Sequence, residues 1–157
     1  MKKHAPFLGL IAGLIALDQI SKAVVVWTVP FYGHASVIPG FFAISHIHNK
    51  GAIFGTFSQS GSPLVTIGLI AAQLFALAMV IIYFLKTPAS QKGMKLALSL
   101  IMAGAVGNFI DRIARGYVID FLEFHVGRAY FPTFNAADSC ITIGAALLVL
   151  VFFLRRP

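Results

Sequence analysis

Carboxylates are scarce in this sequence, and most of them lie close together along the chain. The 157-residue chain has five Asp and Glu residues, and four of them fall within residues 103–139. Apolar runs flank this stretch on both sides. Ionisable groups are costly near hydrocarbon, so their clustering there indicates a functional site. The four residues are Asp111, Asp120, Glu123 and Asp138.

A buried pair of carboxyl groups supports acid–base catalysis of hydrolysis. Two like charges at close range cannot both ionise cheaply, so one carboxyl stays protonated near neutral pH. The ionised partner can then take a proton from water, while the protonated one polarises a carbonyl group. Such a pair is the minimum equipment of aspartic proteolysis.

Helical spacing groups several polar residues around these acids. Asn108, Asp111 and Arg112 stand at positions i, i+3 and i+4, so they share one helix face. Asn135 and Asp138, at i and i+3, share another. Structural interpretations stay open, because Asp111 and Arg112 would also form a helix-end ion pair and Asn135 would also cap a helix. Spacing alone does not identify which two acids form the pair.

The elements that must position these side chains are membrane helices. The chain is 59% hydrophobic and 11% charged, whereas a soluble domain is about half apolar and about a quarter charged. We therefore expect one all-α membrane domain over residues 1–157, with four transmembrane helices of about 20 residues each. The predicted spans are residues 7–29, 64–85, 94–111 and 134–154, and the predicted outer loops are residues 30–63 and 112–133.

The distribution of basic residues predicts the orientation of these spans. Lys and Arg residues concentrate in cytoplasmic segments of membrane proteins, and here they favour both termini on the cytoplasmic side. Nucleic-acid binding is excluded as the reason for the net charge of +7, because the basic residues sit in short clusters at the ends of apolar runs. The residues on the cytoplasmic side are Lys2, Lys3, Lys86, Lys92, Lys95, Arg155 and Arg156.

The two outer loops carry the remaining structural signals. Part of residues 41–49 alternates in polarity, which predicts short strands in a small extracytoplasmic β platform. In the second loop, residues 118–125 fit a strand, a short interfacial helix, or one followed by the other, and the loop as a whole would form a lid. Two pairs of residues have metal-like spacing, His46 with His48 and Glu123 with His125, but neither has an evident third ligand, so we expect no metal site.

Five motifs, in order along most of the chain, resemble the lipoprotein signal peptidase family, also called signal peptidase II. Members of that family are bacterial aspartic proteases of the inner membrane. Two small departures are Ala103, where the family usually has a second glycine, and Ile53, where it often has alanine. The motifs are LDQISK (residues 17–22), NKGAIF (49–54), GAVGNFIDR (104–112), VIDF (118–121) and FNAADS (134–139).

The resemblance implies roles for individual residues. Asp120 and Asp138 would be the catalytic pair, with no cofactor and no metal. Other matching residues would organise the site or bind substrate. They are Asp18, Lys22, Asn49, Gly51, Asn108, Asp111, Arg112 and Asn135.

The resemblance also implies the reaction. The enzyme would cut a diacylglyceryl-modified prolipoprotein on the amino side of its lipidated cysteine and so release the signal peptide. Its partners would be lipidated prolipoproteins and membrane phospholipid, with the site near the outer, periplasmic face of the inner membrane. A monomer would suffice, because one chain supplies both acids.

Two other functions are alternatives to this one, a transporter and a membrane scaffold. In a small proton-coupled transporter, Asp18 in the first span would be the binding carboxylate, although such sites usually lie near the bilayer midplane. A non-catalytic membrane scaffold would leave the clustering of acids unexplained. A transporter should depend chiefly on Asp18, and a protease on Asp138.

Overall fold

The computed structural model describes residues 4–51 and 63–154, and each predicted apolar run contains one helix. Helix bounds differ from the predicted ones by a few residues, most at the third helix, which extends about one turn beyond residue 111. The elements are α1 (Ala5–Thr28), β1 (His34–Ile38), β2 (Phe42–Asn49), α2 (Pro63–Lys86), α3 (Lys92–Arg115), β3 (Val118–Val126), β4 (Ala129–Tyr130) and α4 (Ala136–Leu154).

Helix α3 is the centre of the bundle, because it packs against the three other helices and most extensively against α4. Small residues permit this close approach. A Cβ at Gly107 would lie 2.6 Å from Asp18 Oδ2, and one at Gly144 would lie 2.8 Å from the Ala97 carbonyl oxygen. The glycines therefore bring α1 and α4 close enough to α3 for their polar side chains to meet.

The strands form one antiparallel sheet in the order β1-β2-β3-β4. A bulge interrupts the register of β2 against β3, since Ile44 pairs with Leu122 but Ile47 pairs with Asp120. A bulge of this kind re-aims the side chains that follow it. Past it, Asn49 pairs with Val118. The predicted β platform is therefore present, and β3 extends it.

The short interfacial helix that was allowed for residues 118–125 was a wrong prediction. That stretch is strand β3, and its first four residues are buried. The physical reason is the pairing with β2, which satisfies the backbone of β3 and places Ile119 and Phe121 in a core with Val25 and Val29. The sequence predicted a strand within residues 41–49 but not its pairing with residues 118–125.

Among the described residues, three helices are long and apolar enough to cross a membrane, namely α1, α3 and α4. Helix α2 contributes a shorter apolar segment, Ile70–Lys86, so its crossing of the bilayer stays a prediction. Large apolar side chains cover the outside of the bundle, and Trp27 is 93% exposed. An exposed apolar surface of this extent is typical of contact with lipid.

Candidate active site

Asp120 and Asp138 line one cavity of about 610 Å³. Asp120 comes from β3 and Asp138 from the first turn of α4. Helices α2, α3 and α4 and residues 131–134 supply most of the remaining wall, which is largely apolar. Several polar side chains line the cavity besides the two acids. They are Asn49, Gln73, Asn108, Arg112, Thr133, Ser139 and Thr142.

A short backbone bridge joins the strand that carries Asp120 to the start of the helix that carries Asp138. Leu122 N donates to the Phe134 carbonyl oxygen at 2.8 Å, and Phe134 N donates back to the Leu122 carbonyl oxygen at 3.2 Å. Phe134 immediately precedes Asn135. The bridge therefore fixes the N-terminus of α4 beside β3 and brings the two acids to one site.

Asp120 is 2% exposed and accepts a hydrogen bond at each of its oxygens. Asn135 Nδ2 donates to Oδ1 at 2.8 Å, and Asn49 Nδ2 donates to Oδ2 at 2.9 Å. Neither donor carries a charge. The carboxyl is thus oriented from both sides by amides and not by an ion pair.

Asp138 also accepts a hydrogen bond at each of its oxygens, and it takes part in the cap of α4. Asn108 Nδ2 donates to Oδ1 at 2.7 Å, and the Asn135 backbone N donates to Oδ2 at 3.2 Å. In return Asp138 N donates to Asn135 Oδ1 at 2.9 Å, which makes a reciprocal capping box. Asn135 therefore caps α4 and belongs to the site through the same hydrogen bonds to Asp138.

The surroundings of Asp120 favour its protonated form. Burial, and then the charge of Asp138, raise the pKa of Asp120 to about 7, while the bonds from Asn49 and Asn135 and the charge of Lys22 oppose the rise. Near neutral pH this carboxyl is therefore protonated in a large fraction of molecules. A proton donor is available beside a second carboxyl.

A buried ion network supports the pair from the side of α1. Lys22 Nζ lies 2.9 Å from Asp18 Oδ2 and 2.8 Å from Asp111 Oδ2, so it bridges these two carboxylates. Asp111 is also paired with Arg115. Asp18 Oδ1 accepts from the backbone N of Ala137 at 2.9 Å, which ties α1 to α4.

Lys22 also determines which way the Asn108 amide points. Its ammonium donates to Asn108 Oδ1 at 3.1 Å, and because an ammonium has no acceptor, that position must be the amide oxygen. The NH₂ group of Asn108 therefore turns to Asp138. The charge of Lys22 acts on the pair through a neutral amide.

The helix-end ion pair between Asp111 and Arg112, an interpretation that the sequence left open, does not form, because their side chains diverge. Consecutive residues do not face each other on a helix. Arg112 Nη1 donates to Gln73 Oε1 at 3.0 Å and Nη2 donates to the Gly51 carbonyl oxygen at 3.0 Å. Arg112 thus joins α3 to α2 and to the segment that follows β2.

The ten residues proposed from sequence lie in one hydrogen-bonded network. Gly51 N donates to Asn49 Oδ1 at 2.9 Å, which connects Arg112 to Asp120 through Asn49. Asn135 Nδ2 donates to Asn108 Oδ1 at 3.2 Å, which connects Asp120 to Lys22 through Asn108. Glu123, the fourth acid of the cluster, lies further along β3 opposite Ala43.

Sequence reasoning missed three polar residues of this network. Gln19 Nε2 donates to Asp18 Oδ2 at 3.0 Å, Arg115 pairs with Asp111, and Gln73 accepts from Arg112. A signal was present for Gln73, which is the one amide side chain in a helix of otherwise mostly apolar residues. A lone polar side chain in such a helix needs a partner.

The histidines considered as metal ligands take part in packing. His46 Nδ1 lies 2.9 Å from the Val29 carbonyl oxygen, and the Nε2 atoms of His46 and His48 lie 3.1 Å apart. The His48 ring stacks on Tyr117 at 3.7 Å between ring centroids, and the His125 ring stacks on Tyr130 at 5.0 Å. The His46 contact joins β2 to the end of α1, and the two stacked pairs lie within or beside the sheet.

Fold and site together define a class of protein. It is a membrane-embedded helical protein with a small sheet. Its cavity holds two carboxyl groups that accept hydrogen bonds from amides, and these are the groups needed for acid–base hydrolysis. The model of the family described as signal peptidase (SPase) II matches residues 10–154. The chain belongs to this family, as its five motifs predicted.

Curated relatives agree with the family match. A lipoprotein signal peptidase from Paraburkholderia phymatum is 45% identical over 149 residues, which cover 92% of this chain and 86% of the relative. One from Symbiobacterium thermophilum is 40% identical over 137 residues, which cover 87% of this chain and 86% of the relative.

Two solved structures share the fold, and both are of a bacterial membrane enzyme determined by the in meso method. The structure at 2.3 Å resolution has a TM-score of 0.84 and 30% identity, covering 95% of this chain and 88% of the solved one. The structure at 1.9 Å resolution has a TM-score of 0.83 and 29% identity, covering 97% of this chain and 95% of the solved one.

Proposed function

We propose that this protein is a membrane aspartic endopeptidase that removes the signal peptide from diacylglyceryl-modified prolipoproteins. The cut falls on the amino side of the lipidated cysteine. The observation that carries the proposal is the placement of Asp120 and Asp138 in one cavity, each oriented by two hydrogen-bond donors. Family membership supports the same reaction.

The two acids take different parts in the proposed chemistry. Asp138 lies in the first turn of α4, where the positive end of the helix dipole favours a negative charge, so it is the base. Asp120, with its pKa raised to about 7, is the acid. Asp138 takes a proton from water, the water oxygen bonds to the scissile carbonyl carbon, and Asp120 protonates the carbonyl oxygen.

Collapse of the intermediate returns both acids to their starting states. The tetrahedral carbon now carries two hydroxyl groups and the amide nitrogen. Asp138 gives its proton to that nitrogen, the carbon–nitrogen bond breaks, and Asp120 takes a proton from one hydroxyl as the carbonyl group reforms. The products are the carboxyl end of the signal peptide and the free amino group of the lipidated cysteine.

The shape of the cavity suits a substrate that already lies in the membrane. Its polar end holds the two acids, and its apolar wall continues along α2, α3 and α4 past Leu77, Val80 and Ile101. Acyl chains or an apolar signal segment would match that wall. The β platform, over residues 41–57, and the lid, over residues 112–133, would cover the acids, although residues 52–57 lie outside the described part of the chain.

The proposed topology has four spans with both termini in the cytoplasm of a bacterium. The acids then lie near the periplasmic face of the inner membrane, where water reaches the scissile bond. One chain supplies both acids, so a monomer suffices. The transporter hypothesis is not favoured, because Asp18 is 1% exposed and paired with Lys22, which leaves it no access to a solute.

Cleavage of a defined substrate tests the proposed reaction. Purified protein in detergent is given a prolipoprotein peptide with a diacylglyceryl-cysteine, and the same peptide with an unmodified cysteine serves as the control. We expect mass spectrometry to find a new amino terminus at the lipidated cysteine only. A cut at any other bond, or equal cutting of the unmodified peptide, would contradict the proposal.

A further inference from the structure

Gln73 is a polar side chain on the packed face of an otherwise largely apolar helix. With Leu77 and Val80 it forms the half-buried stripe of α2 that faces α3, while its neighbours on either side are exposed. A buried amide in an apolar helix is costly unless both of its ends are hydrogen-bonded. Both ends of Gln73 are bonded.

The two bonds fix the orientation of the Gln73 amide. Nε2 donates to the Ala105 carbonyl oxygen at 2.9 Å, and Oε1 accepts from Arg112 Nη1 at 3.0 Å. Because a carbonyl only accepts and a guanidinium only donates, the amide cannot be reversed. Gln73 therefore presents one defined acceptor to Arg112.

From Arg112 a continuous series of hydrogen bonds leads to a catalytic acid. Arg112 Nη2 donates to the Gly51 carbonyl oxygen at 3.0 Å, and Gly51 N donates to Asn49 Oδ1 at 2.9 Å. The other end of the Asn49 amide donates to Asp120 Oδ2 at 2.9 Å. Each bond fixes the direction of the next group. The position of Arg112 therefore affects the Asn49 amide that donates to Asp120.

We propose that Gln73 is a positioning residue for the cleavage reaction, which acts on Asp120 through Arg112, Gly51 and Asn49. The inference rests on the proposed function. Gln73 also lines the cavity, so one wall of the substrate cavity, α2, is linked through these three residues to the acid that protonates the scissile carbonyl.

Removal of the Gln73 amide should disturb Asp120 without disturbing the bundle. In Gln73→Leu the side chain suits an apolar helix, but Arg112 loses one acceptor and no longer holds Gly51 in one place. We expect kcat to fall about tenfold, the rate equivalent of about one hydrogen bond, with a smaller change in KM. The melting temperature should stay within a few degrees of wild type.

The pH profile separates this role from a purely structural one. Asp120 is faced by Asp138 from α4, Lys22 from α1, and the amides of Asn49 and Asn135. The Asn49 bond stabilises the ionised carboxylate, so loosening it raises the pKa of Asp120 further. The basic limb of kcat/KM should therefore move to higher pH in Gln73→Leu.

Two further variants complete the test. Gln73→Glu keeps an acceptor for Arg112, loses the bond to Ala105 and adds a negative charge, which by itself would raise the pKa of Asp120. Its kcat, and not its pH profile, is therefore the readout, and most of the wild-type kcat should return. Leu74→Ala changes the next residue of α2, which is 44% exposed and lies outside the stripe that faces α3, and should behave as wild type.

Several outcomes would overturn the proposal. Unchanged kcat and pH profile in Gln73→Leu would do so, as would a loss in Gln73→Glu as large as in Gln73→Leu, since the Ala105 bond would then be the important one. Folded wild-type protein that never cuts the lipidated peptide would overturn the proposed function along with it. Normal cutting by wild type and by Gln73→Leu would contradict the role of Gln73 alone.

Discussion

Neutral amides, and not cations, make the direct contacts to both carboxyl groups. The donors to Asp120 and Asp138 are the amides of Asn49, Asn108 and Asn135. The ammonium of Lys22 donates to the oxygen of the Asn108 amide. A cation bonded directly to either acid would hold it ionised. Amides orient a carboxyl group and still allow it to carry a proton, which is what a pair that exchanges protons requires.

The raised pKa of Asp120 predicts how cleavage depends on pH. The proposed acid must carry its proton, so kcat/KM should be high below about 7 and fall as the pH rises through that value. In Asn49→Leu one donor to the ionised form is lost, so the pKa rises and the fall should move to higher pH. Initial rates across a pH series measure this.

The control for that prediction is Glu123→Gln, which changes an acid of the same strand outside the cavity. Its pH profile should match wild type. If Asn49→Leu lost activity without any displacement of the basic limb, the role given to the Asn49 amide would be wrong.

At the level of elements, the close approach of α1 and α4 to α3 brings the site together. Gly107 is the tightest link to α1, since a Cβ there would lie 2.6 Å from Asp18 Oδ2 and 3.3 Å from the Ala137 Cβ. Gly107→Ala should therefore force α1 and α4 away from α3. We expect the free energy of unfolding to drop by about 1–3 kcal/mol, as in other overpacked cores.

Thermal unfolding in detergent would measure that loss, and Gly13→Ala provides a matched control. Gly13 lies on α1, and an added Cβ there meets nothing within 4 Å. Its melting temperature should equal or slightly exceed that of wild type, since alanine favours a helix. Equal melting temperatures for the two variants would show that the Gly107 contact is not tight.

The sequence predicted the helices better than the connections between them. Apolar runs located all four helices to within a few residues. The partners of Arg112 could not be predicted, because Gln73 and Gly51 are distant from it in sequence. The strand β3 was left open for the same reason, since its pairing partner β2 is about 70 residues earlier.

Spacing alone did not identify which two acids form the pair, and only the motif resemblance pointed to Asp120 and Asp138. The register of β3 against β2 and the bridge at Phe134 place Asp120 and Asp138 in one cavity. Asp111 is fully buried among Lys22 and Arg115, where it has no access to the cavity.

Considered as a whole, the molecule has its site at one end. The sheet and the acids lie at the end of α1 that is marked by Thr28, and the turn between α2 and α3 lies at the other end. The proposed orientation puts the sheet outside the cell. In a Cys140→Ala background, His34→Cys on β1 should react with a membrane-impermeant maleimide in spheroplasts, because His34 is exposed.

Ser90→Cys is the matched control for that labelling, since Ser90 is exposed in the turn between α2 and α3. It should react only after the membrane is permeabilised. Labelling of Ser90→Cys but not His34→Cys in intact spheroplasts would reverse the orientation. Labelling of both would contradict the predicted crossing of α2.

The central claim is that Asp120 and Asp138 together cut the substrate. The most direct measurement compares cleavage of the diacylglyceryl-modified peptide by wild type, Asp120→Asn, Asp138→Asn and Glu123→Gln, each with its melting temperature measured. Asparagine keeps the shape of the side chain but cannot exchange a proton. We expect both Asp variants to fold and to lose cleavage by a factor of about 10³ or more, while Glu123→Gln stays active. Near-normal cleavage by a folded Asp120→Asn or Asp138→Asn variant would contradict it.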